Sequence, residues 1–354
     1  MKVAIYNLHF ATMGGGERRT AVLAAHLRAK HDVVLFVAER LDHKLIRDIF
    51  GVALSDVELV ALDCCDHFQS IASRSPDLFI NNSYGSRLAC PAPRGIYMCM
   101  FPDENPVDLT SYNIITANSH YTASWIQRQW GYNAQVVYSA CEPMGPPGNK
   151  EKTILNVARF FANEGPNHHK RQDLLVRTFI EMVHSGLVGW NLHLIGNVGS
   201  SAQDREFLDR LRTAARGEPV EISVGASFEC LREQYRHASL YWHGTGFGFS
   251  PTLEPSKHEH FGMSIVEAMS AGSVPLAFDS GGPREIIRPG VNGYLWKTLD
   301  ELKMRTFDLI AGQDRLHAMS IAARADSERF DVRNYLARMD SIIADLAGGN
   351  SARL

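Results

Sequence analysis

No apolar run in this 354-residue chain reaches the ~18 residues that a membrane-spanning helix needs. The opening stretch, MKVAIYNLHF, has one lysine and an apolar segment too short for a signal-peptide core. The six cysteines (Cys64, Cys65, Cys90, Cys99, Cys141, Cys230) form no C-x-x-C and no disulfide framework. They predict mostly buried, reduced thiols in a cytoplasmic protein, with a peripheral contact at the inner membrane face left open. Basic excess is missing too: the net charge of -3 argues against a dedicated nucleic-acid binder. There is no H-E-x-x-H, although His258 and His260 bracket Glu259, and no D-x-D acid pair to hold a metal-bound diphosphate. Neither a metal nor a cofactor is expected. Internal repeats and low-complexity segments are also absent.

What is present is the composition of a soluble globular enzyme, 45% hydrophobic and 21% charged, at a length that suggests two domains. Strand-like runs alternate with helix-like segments, the pattern of an α/β protein with parallel sheets covered by helices. In the first half the strands fall at Val3 to Tyr6, Asp32 to Ala38, Leu78 to Asn81, Ile96 to Phe101, Ile114 to Ala117 and Gln135 to Tyr138. Gly14, Gly15 and Gly16 stand between the first strand and a helix, Glu17 to Ala29, so the backbone there can come close to a ligand. A dinucleotide fingerprint would need glycine where Arg19 stands. Asn82-Ser83-Tyr84-Gly85 is no hydrolase nucleophile elbow, because Asn81 replaces the first glycine. Ser119 is placed to cap a helix from Tyr121 to Trp130.

Cys141 to Lys150, CEPMGPPGNK, reads as the linker. It divides an N-terminal domain, 1–148, from a C-terminal domain, 149–330. The second half opens on a strand, Thr153 to Ala158, followed by Arg159, a loop with Lys170 and a helix from Arg171. Arginine offers phosphate oxygens a fork of donors and lysine a point charge. Further on lies KHEHFGMSIVEAMSAGSVPLAFDSGGPREII, residues 257–287. It predicts a loop with Glu259, a helix from Phe261 to Ala271, a strand from Val274 to Phe278, a turn at Gly281 and Gly282, and a helix start at Pro283. On one continuous helix Glu259 and Glu267 would be roughly 80° and ~12 Å apart. With Glu259 in a loop, the two can meet opposite ends of one elongated ligand. The backbone N–H groups of Phe261, Gly262, Met263 and Ser264 offer an anion site between them.

E-H-F-G-M-S-I-V-E followed by A-M-S-A-G-S-V-P-L-A resembles the E-x7-E signature of retaining, nucleotide-sugar-dependent glycosyltransferases of family 4. The resemblance implies the GT-B fold, two facing Rossmann-like domains with an interdomain cleft. A terminal helix, about 331–347, would pack back on the first domain. It places Glu259 at the donor sugar, Glu267 at the ribose, Arg159 and Lys170 at the diphosphate, and Gly281, Gly282, Arg284 and His243 near the donor. The Gly14–Gly16 loop would meet acceptor or donor phosphate. The A-N-S-x-Y-T stretch containing Asn118 also resembles the first domain of that family.

The implied reaction moves a sugar from a GDP- or UDP-sugar to a hydroxyl of a glycan, a lipid-linked glycan or a small molecule. It proceeds with retention, no metal and no protein base. The E-H-F-G form resembles lipid-linked-oligosaccharide mannosyltransferases, which points to GDP-mannose. Two departures stand out. Met100 occupies a place where relatives often have histidine, so Asp103 or Glu104 becomes the substitute. The loop from His243 to His258 is long, which suggests a lid or a substrate-specific insert. Its glycines are expected to bring backbone amides to the sugar. An epimerase of the same fold, or a non-catalytic sugar-nucleotide-binding subunit, remains the alternative.

Overall fold

A computed structural model describes residues 1–62, 66–162, 169–199, 201–349 and 354. Cys64 and Cys65 lie outside the described residues. The chain forms two compact units, Met1–Ala140 with Val332–Leu354, and Cys141–Asp331.

The first unit is built on seven strands: β1 (Lys2–Tyr6), β2 (Asp32–Val37), β3 (Glu58–Ala61), β4 (Leu78–Asn81), β5 (Arg94–Cys99), β6 (Ile114–Ala117) and β7 (Gln135–Val136). They run parallel in the order β3-β2-β1-β4-β5-β6-β7. Their near-continuous apolar character follows from burial on both faces, as helices cover each side of a parallel sheet. Ile5, Leu35, Ile80 and Ile96 form one core, with Tyr335, Met339 and Ile342 of the helix Val332–Ala347 packed into it. The other face gathers Tyr6, Phe79, Tyr97 and Tyr112. Ser119 caps the helix His120–Trp130 by accepting from the Thr122 amide. Sequence reasoning passed over β3, a four-residue strand with no alternation to mark it.

The second unit carries β8 (Glu151–Val157), β9 (Asn191–Gly196), β10 (Val220–Val224), β11 (Ala238–His243), β12 (Val274–Phe278) and β13 (Tyr294–Trp296). They are parallel, in the order β10-β9-β8-β11-β12-β13. Both sheets have the doubly wound order expected for the α/β class. Trp242 and Trp296 are fully buried in the core, and the Trp242 indole donates to Thr306 Oγ1 at 3.2 Å.

The division between units falls at 140/141 rather than 148/149. The linker sequence is tied down on its C-terminal side. The Met144 amide donates to Ser270 Oγ at 2.9 Å. Lys150 Nζ donates to the carbonyls of Ala238 and Ala271 at 2.7 and 2.8 Å, capping the C-terminal ends of the helices Phe228–His237 and Met263–Ser270. Burial pulls that amine down to about 7, and the negative ends of two helices oppose the loss of its charge.

Cys90, Cys99 and Cys141 are buried free thiols, whereas Cys230 is exposed. Among the described residues, no helix is long and apolar enough to cross a membrane.

Candidate functional site

In the second unit the chain runs from β8 outward through β9 and β10, then returns to β11 and goes the other way through β12 and β13. The reversal lies between β8 and β11, and ligands of open α/β sheets bind beyond the carboxyl ends of strands at such a point. Arg159 follows β8, and His243 ends β11. Gln172 Nε2, at the start of the helix Gln172–His184, donates to the Arg159 carbonyl at 3.1 Å. That bond ties the segment of Lys170 to the end of β8. The Arg159 guanidinium lies over the Phe161 ring at 4.5 Å.

Glu259 is the hub. Its Oε2 accepts from Lys170 Nζ at 2.8 Å and is 3.0 Å from His243 Nε2. Thr245 Oγ1 also approaches His243 Nε2, at 3.1 Å. The other ring nitrogen, Nδ1, is buried with no hydrogen-bond partner among the described residues. That arrangement puts the proton on Nε2, aimed at the carboxylate. His243 is 2% exposed, with its Nε2 against the Glu259 carboxylate.

The helix after this loop is Met263–Ser270, two residues shorter at its start than the sequence pattern indicates. Gly262 at φ 113° stops it, and Phe261 is buried ahead of it. Ser264 bonds the hydroxyl of buried Tyr241, which in turn donates to the Val157 carbonyl at 3.2 Å. The helix N-terminus is thereby pinned to the ends of β8 and β11. Glu267 is buried in the same helix, and its Oε2 accepts from Tyr235 OH at 3.0 Å. Tyr235 was invisible to sequence reasoning: it lies 32 residues away on a separate helix, with no local motif.

The Gly281-Gly282 turn folds onto the Glu259 segment, the Gly282 amide donating to the Glu259 carbonyl at 2.8 Å. A Cβ at Gly282 would collide with the Phe261 backbone and come within 2.7 Å of the His260 carbonyl. Arg284 is more than half exposed, and its Nε pairs with Asp279 at 2.6 Å.

Two of the glycines after His243 sit where the chain passes close to neighbouring side chains. Gly246 (φ 92°) passes the His258 ring, and Gly248 (φ 90°) passes the Arg171 guanidinium. They allow close packing against neighbouring side chains.

In the first unit, Gly14 caps the helix Gly15–Arg28, and its amide donates to Glu17 Oε2 at 2.9 Å. A carboxylate of the chain therefore already sits at that helix N-terminus. Met100 Sδ packs directly over Gly16. Asp103 is held by Arg87 at 2.5 Å, and Asn118 is buried with its Oδ1 accepting from Ser119 Oγ at 3.3 Å. The switch point of this sheet lies between β1 and β4. There His9 Nε2 is 3.2 Å from the Tyr84 carbonyl, with the two rings edge to face. Neither residue carries a sequence signal. Among the described residues no group of three or more histidine, cysteine or acidic side chains could hold a metal.

Residues 145–326 match the profile of the family described as glycosyl transferases group 1. The chain belongs to that family. Among relatives of the group 1 enzymes, the GDP-Man:Man(3)GlcNAc(2)-PP-Dol alpha-1,2-mannosyltransferase of Dictyostelium discoideum is 25% identical over 303 residues. That match covers 77% of this chain and 56% of that protein. The chain spans about half the length of the curated relatives it matches. HepE from Anabaena, solved in complex with UDP and glucose, superposes with a TM-score of 0.72 at 16% identity, over 97% of this chain and 99% of that one. Sucrose-phosphate synthase from Thermosynechococcus elongatus gives 0.74 at 13% identity, over 99% of this chain and all of that one (100%). These superpositions show that the group 1 chain has their fold.

Proposed function

We propose that this group 1 chain transfers mannose from GDP-mannose to a hydroxyl of a glycan or lipid-linked glycan, with retention at the anomeric carbon and without a metal. The Glu259 carboxylate, bonded by Lys170 and His243 at the switch point of the second sheet, carries the reading. Without donor, Lys170 is neutralised by Glu259. A diphosphate competes for the ammonium, and the freed carboxylate turns to the sugar hydroxyls. Charge developing on the leaving phosphate meets Lys170, Arg159 and the amides at the start of Met263–Ser270. The leaving phosphate takes the acceptor proton on the face it vacates, so no protein base is assigned. Glu267, oriented by Tyr235, accepts from the ribose hydroxyls. The choice of GDP-mannose rests on the substrates named for the mannosyltransferase relatives. In the first unit, the segments around Gly14–Gly16, Asp103, His9 and Tyr84 supply the acceptor side.

The test is the melting temperature of the protein in EDTA with GDP, UDP and their sugar conjugates. At a hundred times its dissociation constant, a ligand adds about 2.7 kcal/mol, a visible shift. GDP and GDP-mannose should give it with metal chelated. A shift with UDP alone would replace the donor, and no shift with any would remove the reading. Tyr235→Phe should weaken GDP binding roughly fivefold, the worth of about 1 kcal/mol for one hydrogen bond. Its kcat should be unchanged; a fall in kcat with unchanged GDP affinity would dissociate Glu267 from the ribose.

A further inference from the structure

The segment from Gly244 to Lys257 separates the end of β11 from Glu259, and its aromatic residues point at two different places. The Phe247 ring packs against Phe278 and Trp296, with centroids 5.4 and 5.3 Å away, which fixes the segment to the core. Two residues on, the Phe249 ring lies on the ring of buried His169 at 4.8 Å. The Arg171 guanidinium sits 5.7 Å from the same Phe249 ring, and its Nη1 donates to the Phe247 carbonyl at 2.6 Å. His169 and Arg171 are the two chain neighbours of Lys170. Arg171 also holds φ 56°, a left-handed conformation that costs a side-chain-bearing residue energy unless contacts offset it.

We propose that the 244–257 segment is a positioning element for Lys170. Phe247 and Phe249 grip the residues on either side of it, and so fix its ammonium on Glu259 and on the donor diphosphate. This rests on the reading of Lys170 as a diphosphate-binding group. Holding the backbone of Lys170 from both sides fixes the root from which its ammonium reaches Glu259, so that only the side-chain torsions remain to be ordered on binding. The segment is thus a fixed buttress of the donor site. Its exposed tip, with Leu253 at 81% exposure, takes no part in the grip.

A double-mutant cycle on the full chain tests this, with GDP binding measured by calorimetry and GDP release from GDP-mannose measured alongside. If UDP gives the larger melting shift, UDP and its sugar take their place. Phe249→Ala should weaken nucleotide binding about tenfold in the native background, because a misplaced binding group costs that much or more. In a Lys170→Ala background the same change should cost less than about twofold, the signature of two residues acting through one contact. Phe249→Tyr, which keeps a ring on His169, should restore native affinity. Phe249→Leu keeps the apolar volume and replaces the alanine variant if that variant melts early.

Equal losses in both backgrounds would overturn the proposal, as would a tyrosine variant as weak as alanine. If Lys170→Ala weakens nucleotide binding and Phe249→Ala does not, the positioning role alone fails. If Lys170→Ala leaves nucleotide binding intact, the diphosphate reading of Lys170 fails first and the buttress with it.

Discussion

Replacing Glu259 with glutamine should lower kcat by about 10²–10³-fold, the scale seen when one preorganised electrostatic group is removed from a transition state. Affinity for free GDP should stay level or tighten. The carboxylate holds Lys170 at 2.8 Å and His243 at 3.0 Å. Its negative charge therefore competes with a diphosphate for the same ammonium. Glutamine keeps the shape, removes the charge and leaves Lys170 available to phosphate. Steady-state kinetics with GDP-mannose and calorimetry with GDP separate the two effects. Parallel loss of turnover and GDP affinity would mean that Glu259 serves the nucleotide, and its place at the sugar would be lost.

Gly282→Ala should be the most damaging single methyl group in the site. Its Cβ would meet the Cα and carbonyl of Phe261 and the carbonyl of His260, backbone atoms that cannot move aside alone. Relief requires shifting the turn away from Glu259 and breaking the 2.8 Å bond from the Gly282 amide to the Glu259 carbonyl. A cost of about 3 kcal/mol or more is expected for overpacking of this kind. For a unit of this size that lowers the melting point by roughly 6–12 °C. GDP-mannose turnover should fall with it, since the Glu259 backbone moves. Gly290→Ala is the control: it has positive φ and open space around it, so only backbone strain is added. If Gly282→Ala melts and turns over no worse than Gly290→Ala, the Gly-Gly turn does not hold the Glu259 loop.

Much of the second unit was readable because its signals are local. Val274–Phe278 is a short apolar run between Gly272 and Gly281, and the Pro283–Ile286 helix starts on its proline. The start of Met263–Ser270 was misread because Phe261 continues the apolar spacing, while Gly262 at φ 113° prevents helix before it. Gly-rich sequence after His243 announces close approach but not the partner, and at Gly246 and Gly248 the neighbours are the His258 ring and the Arg171 guanidinium.

The sequence by itself determined the class of fold, most of the strands and helices, and the family through one contiguous stretch of residues. Periodicity, turn chemistry and motif spacing are all written within a few residues of each other, so no long-range information is needed to read them. Tertiary structure alone decided which groups meet: His243 and Lys170 on one oxygen of Glu259, Tyr235 on Glu267, Phe249 on the neighbours of Lys170, and the linker bound into the second unit through Met144 and Lys150. Each of these contacts joins segments that are separate in the sequence and meet only once the parallel sheet of the second unit has formed.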